Sequence, residues 1–136
     1  MRAYGIGDGS VGAAKLAAAV QDLIPTITLE GIDNTDGTGE MSIQVTDAAG
    51  NALAQRFRVR TWLSTSAYGA PVAQTDFSLA TGTQLREITA NADYEVISDA
   101  TGLVEMWIVA ADGTYYVMAE VDGRIYSGSV AITGNT

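Results

Sequence analysis

The sequence predicts a mainly β protein, a β-sandwich preceded by one short α-helix. Three observations predict it. After Pro25 apolar and polar residues alternate through most of the chain, and clusters of Gly, Asn and Asp interrupt the alternation every eight to twelve residues. One alanine-rich stretch, "GAAKLAAAVQDLI", follows helical spacing instead. No strand-helix-strand alternation supports a parallel sheet. Seven to nine strands can be counted, the arithmetic of two packed sheets, although a small closed barrel satisfies the same count.

The first ten residues, "MRAYGIGDGS", hold three glycines and no periodicity. Ser10 is placed to cap the helix that follows, without an acidic residue three positions later to complete a capping box. Ala13, Leu16, Val20 and Leu23 then step by three, four and three, an apolar stripe about one and a half heptads long that Pro25 ends. Two units follow from this: residues 1–25, a flexible start and an amphipathic helix for assembly or docking, and residues 26–136, the β domain. A helix this short is marginal alone in water. Leu16, Val20, Leu23 and Ile24 escape water only against the β domain or against copies of the same helix. Each large side chain so buried contributes about 1.5–3 kcal/mol. A helix plugging the open end of its own sandwich is the plain alternative.

From Thr26 the period changes. "TITLEGI" is a strand, "GIDNTDGTGE" a polar loop, "MSIQVTD" an alternating strand and "DAAGN" a turn. "QRFRVRTWLS" is a long strand with Phe57, Val59 and Thr61 on one face and Arg56, Arg58, Arg60 and Trp62 on the other. "TSAYGAPVAQTD" is an irregular excursion whose Pro71 suits an edge. "FSLAT", "QLREIT" and "YEVISD" are short strands; "LVEMWIVA", "TYYVMAEV" and "RIYSGSVAIT" are the clearest ones. Val121-Asp122-Gly123-Arg124 has the sequence of a tight type I′ hairpin.

Composition narrows the function classes. The chain has 136 residues, 47% of them hydrophobic, enough for one compact domain with its own core. Without cysteine it has no disulfide, thiolate nucleophile or cysteine zinc site. Sixteen acidic against seven basic residues give a formal charge of -9, which opposes binding to a nucleic acid backbone. No apolar run approaches the length of a membrane span, so no membrane insertion is expected. With no histidine there is no histidine triad and no imidazole base. Paired carboxylates could still hydrolyse a glycosidic bond, but no nucleophile elbow, phosphate loop or dinucleotide fingerprint is present, and the chain reads as a non-enzyme.

Three groups of residues invite a functional reading. Asp33, Asp36 and Glu40, with Asn34, are close enough in sequence to offer oxygen ligands to calcium. The ordered alternation of an EF-hand loop is missing and an ordinary solvated turn has the same composition, so no cofactor is expected. Arg56, Arg58 and Arg60 share a strand face, where like charges call for acidic neighbours such as Glu105 and Glu120, or for an acidic protein partner. Tyr68, Trp62 and Trp107 could line a sugar-binding surface, and of the three only Tyr68 stands in a loop; packing is the commoner role of strand aromatics.

"VTDAAGNALAQRFRVRTWLS", "SDATGLVEMWIVAADGTYYVMAEVDG" and "RIYSGSVAIT" resemble the strand and turn grammar of bacterial and phage immunoglobulin-like domains of the invasin and intimin type. Val45–Asn51, Asp99–Val104 and Gly113–Val121 carry the likeness, while Thr65–Asn91 is longer and more irregular than that pattern. "GDGSVGAAKLAAAVQDLIP" resembles the linkers and short assembly helices that precede terminal domains of phage fibre and head-fibre proteins. The resemblance implies an immunoglobulin-like β-sandwich in a non-catalytic virion structural protein: a head-fibre, decoration or tail-fibre component on the virion surface, capsid or tail. It further implies a homo-oligomer, a trimer, formed through Ala13, Leu16, Val20, Leu23 and Ile24, with a capsid or tail protein as partner. The alternative is a cell-surface adhesin or carbohydrate-binding module, with Tyr68 meeting a host surface glycan.

Overall fold

The computed structural model describes residues 24–135. Its nine strands are β1 (Thr26–Asp33), β2 (Thr38–Thr46), β3 (Arg58–Ser64), β4 (Asp76–Thr81), β5 (Thr83–Thr89), β6 (Asp93–Ile97), β7 (Leu103–Val109), β8 (Gly113–Val121) and β9 (Arg124–Ile132). They form two antiparallel sheets, one in the order β1-β2-β7-β4 and one in the order β5-β6-β3-β8-β9. The chain is thus a β-sandwich rather than a closed barrel. The predicted N-terminal helix, with Ala13, Leu16, Val20 and Leu23, lies outside the described residues.

Alternation builds the core. Met41, Ile43 and Val45 on β2 and Val104, Met106 and Ile108 on β7 all point inward from the middle of the four-stranded sheet. Val59 and Leu63 on β3, Val96 on β6 and Val117 on β8 meet them from the other sheet. Phe77 on β4 and Tyr94 on β6 bridge the two layers with ring centroids 5.8 Å apart, and the Tyr94 hydroxyl accepts the Asn91 N–H at 3.1 Å.

Two repeated Asp-x-x-Gly turns explain the regular spacing. Asp47 Oδ1 accepts from the N–H of Ala49 and of Asn51, both at 2.9 Å; Asp99 Oδ1 accepts from the N–H of Thr101 at 2.8 Å and of Leu103 at 3.1 Å. In each, the Gly N–H returns to the Asp carbonyl. The β8–β9 hairpin closes through Asp122 and Gly123, at φ of 51° and 77°, both in the left-handed region that a type I′ turn requires.

The sandwich is closed on one flank where β1 crosses against β9. A Cβ on Gly31 would collide with the Ser129 carbonyl oxygen and lie 2.8 Å from Val130 Cβ; one on Gly128 would lie 2.6 Å from Leu29 Cβ. On the other flank β4 passes through Gly82 into β5, whose seven residues are all exposed and whose pairing with β6 slips at two bulges.

Two expectations need correction. The polar loop expected over residues 31–40 is mostly ladder: Gly31, Ile32 and Asp33 pair with Met41, Glu40 and Gly39, leaving only Asn34–Gly37 as the turn. Main-chain pairing does not depend on apolar side chains, so the polar composition hid it. Arg56 is not on the strand with Arg58 and Arg60; it precedes β3, where its Nη1 donates to the Ser98 carbonyl at 3.4 Å.

Candidate functional site

The strand directions give the sandwich two unlike ends. Thr26 begins β1 beside Thr46, its Oγ1 2.6 Å from that of Thr46, near the Asp47–Asn51 turn. Ile24, half-buried, adjoins Ala48 and Arg124 at the same end, and it alone of the predicted assembly residues is described. β1 and β3 both run away from this end, because β3 pairs Arg60 with Glu120 and Ser64 with Tyr116 while β9 returns alongside β8. Eight residues of β1 at about 3.3 Å each carry the chain roughly 26 Å. The Ser64–Gln74 loop, the Asn34–Gly37 turn and Thr133–Asn135 gather at the far end.

Tyr68 stands in that far loop, 65% exposed and at φ 57°, a left-handed conformation that costs a bulky residue energy and persists only where its surroundings impose it. The loop is tied down at the next residue, Gly69, by Trp62. Trp62 points to the outer face of the five-stranded sheet, yet is buried, because the loop folds over it; its indole Nε1 donates to the Gly69 carbonyl at 2.9 Å. The Gly69 N–H returns to Ser66 and the Val72 N–H to Leu63. Arg60 lies over the Trp62 ring, 4.8 Å from its centroid, and is itself fixed by Asp93 through bonds of 3.1 and 2.7 Å. A buried carboxylate, a guanidinium, an indole and a backbone carbonyl therefore run in series to the residue next to Tyr68. The Arg60 guanidinium is held charged more firmly than usual, first by its bonds to Asp93.

The sugar-binding trio does not assemble. Trp62 is covered, and Trp107 sits half-buried on β7 in the other sheet, leaving Tyr68 as the one exposed member.

The three candidate metal ligands are engaged separately. Asp33 accepts from the Thr35 N–H at 2.8 Å and from Thr133 Oγ1 at 2.7 Å, Asp36 from the Thr38 N–H at 3.1 Å, and Glu40 from Asn34 Nδ2 at 3.4 Å. The Thr133 hydroxyl, more than any other contact, holds the Asp33 carboxyl below the usual range. Among the described residues no three acidic side chains converge on a point where a metal ion could sit. Nor is any described helix long and apolar enough to cross a membrane.

The arginines find acidic neighbours, of which only Glu120 is one of the two expected. Asp93 takes Arg60, and Glu95 stands near both Arg58 and Arg86. Glu120 lies opposite Arg60 on β8, whereas Glu105 belongs to the other sheet and accepts from Thr81 at 2.8 Å. Asp93 was missed because it sits diagonally across the strand pair, opposite Trp62 rather than Arg60.

No family model and no curated protein matches the chain. Among solved structures it is similar to a cohesin module from a Clostridium perfringens family 33 glycoside hydrolase, at 11% identity and a TM-score of 0.42, over 80% of this chain and 95% of that one. It is also similar to part of a GH20 exo-β-N-acetylglucosaminidase from Vibrio harveyi, in complex with N-acetylglucosamine, at 12% identity and a TM-score of 0.33, over 81% of this chain and 18% of that one.

Proposed function

We propose that this chain is a non-catalytic virion structural protein, a head-fibre, decoration or tail-fibre component that assembles through its N-terminal helix and holds an immunoglobulin-like β-sandwich outward. The observation that supports this reading is the polarity of the sandwich. Ile24 and Thr26 enter at one end, while the anchored Tyr68 loop stands at the other, so a particle gripping residues 1–24 would present that loop farthest from itself. The strand order supports the immunoglobulin-like part. The β1-β2-β7-β4 sheet follows the A-B-E-D order of such domains and β9-β8-β3 follows G-F-C, with the β5–β6 hairpin added beyond C.

Sedimentation of the full chain beside a Leu16→Asp, Val20→Asp variant tests the reading. A trimer that becomes a folded monomer in the variant is the expected result. A wild-type monomer at micromolar concentration would remove self-assembly through the helix.

Tyr68 favours a second reading, a cell-surface adhesin or carbohydrate-binding module. A strained, exposed aromatic on a fixed loop is suited to stacking on a sugar ring. Glycan binding abolished by Tyr68→Ala at unchanged oligomeric state would choose it.

A further inference from the structure

We propose that the groove on the outer face of the five-stranded sheet is a binding site for a sugar that carries a carboxylate. It has a volume of about 350 Å³ and is lined chiefly by Arg58, Arg86, Ile88, Glu95, Glu120 and Asp122. It runs along the outer face of the sheet to the Asp122–Gly123 hairpin, at the end where Ile24 enters, and does not include Tyr68.

The guanidinium groups of this face are unequally engaged. Arg60 is occupied by Asp93 and Trp62. Arg58 and Arg86, 70% and 64% exposed, approach one and the same carboxylate oxygen, Glu95 Oε1, at 3.9 and 3.3 Å. Beyond Glu95 neither has an ion-pair or hydrogen-bond partner among the described residues, so two planar forks on strands β3 and β5 line the groove with most of their donors unspent. Such forks match a carboxylate in two-pronged geometry.

The remaining lining narrows the ligand. Glu95, Glu120 and Asp122 equal the three arginines of the lining in number, so the groove carries no net positive charge, and the whole chain carries -9; a polyanion such as nucleic acid or a run of acidic residues is therefore repelled. A single carboxylate on an otherwise neutral molecule is not. Glu120 and Asp122 are acceptors only when ionised and seek donors, which the hydroxyls of a sugar supply, whereas the side chains of an acidic peptide carry none. Ile88, an exposed apolar side chain within the lining, offers a surface for the C–H face of a ring. The volume stands at the small end of ligand sites, enough for one sugar unit of a longer glycan.

Chemical-shift titration of the full chain with methyl glucuronide tests the site. Methyl glucoside, acetate and a hexaglutamate peptide are titrated in parallel. The expected result is movement of the Ile88 methyl signals and the Gly123 amide with methyl glucuronide, at lower concentration than with any other probe. Arg58→Gln and Arg86→Gln are each expected to weaken binding at least about tenfold at unchanged melting temperature, and Tyr68→Ala to leave it intact. An equal response to acetate or to methyl glucoside, tighter binding of hexaglutamate, or loss of binding in Tyr68→Ala alone would each overturn the proposal. None of these results bears on oligomeric state, so the site and the display reading fail separately.

Discussion

Arg60 and Asp93 meet as a two-pronged pair between adjacent strands, Nη2 to Oδ2 at 2.7 Å and Nε to Oδ1 at 3.1 Å, with the carboxylate 2% exposed. Removing one partner strands the other. Arg60 keeps 39% of its side-chain surface in water, so Asp93→Ala is expected to cost about 2–3 kcal/mol, less than a fully enclosed pair. Urea unfolding measures it, and adding Arg60→Met to Asp93→Ala should recover part of the loss.

Trp62→Phe keeps an aromatic ring under the far loop but deletes the donor to Gly69. The expected global loss is about 1 kcal/mol. The local effect is larger: amide exchange at Gly69 and Val72 should accelerate in this variant while exchange in β7 stays as it was, and equal acceleration in both would show that the loop has no independent tether.

Thr61 stands in the middle of β3 with its hydroxyl buried and without a hydrogen-bond partner among the described residues. Thr61→Val has the same shape and no polar atom to satisfy. It should stabilise the protein by about 1–2 kcal/mol, read as a higher melting temperature.

Gly31→Ala places a methyl group against Ser129 and Val130 where β1 crosses β9, and backbone on both sides must shift to admit it. A loss of about 1–3 kcal/mol is expected. Gly123→Ala, whose added Cβ meets nothing within 4 Å but whose φ is 77°, separates steric crowding from backbone strain and should cost less, about 1 kcal/mol.

Acid should weaken the turns first. The Asp33, Asp47 and Asp99 carboxyls are all held below their ordinary value of 3.8, chiefly by the Thr133 hydroxyl, the Asn51 N–H and the Thr101 hydroxyl respectively. Because their folded values are depressed, their contribution is complete above the unfolded value and is lost as pH falls through the folded ones. Melting temperature should therefore be flat from about pH 6 to 5 and fall steeply below about 4. The Asp33→Asn, Asp47→Asn, Asp99→Asn variant should start lower and fall less.

Much of the fold was legible because alternation and turn chemistry are local. Met41, Ile43 and Val45, or Val104, Met106 and Ile108, declare a buried face by spacing alone, and Asp-Gly at 122–123 declares its hairpin. What was not legible depends on partners distant in sequence. Nothing near Gly31 announces that β9 passes within contact of it, and the Asp33–Thr133 bond joins residues one hundred positions apart. The same limit governs the candidate sites. Tyr68 was singled out from its loop composition, but its anchoring through Trp62 to Asp93 requires a loop to fold back over a sheet. The arginine groove needs β5 and β6 beside β3, and Arg86, more than twenty residues from Arg58 and Arg60, joins them only through that pairing.

The bulged β5 strand also governs how copies tolerate one another when crowded. An uninterrupted outer strand invites a stranger's backbone to continue the ladder, the first step toward fibrils. β5 breaks step with its neighbour twice in seven residues and places Arg86 and Glu87 at its centre, so an incoming strand finds no even row of hydrogen bonds to extend. Crowded copies can thus stay side by side as separate bodies, even though Leu85 and Ile88 are exposed on this strand.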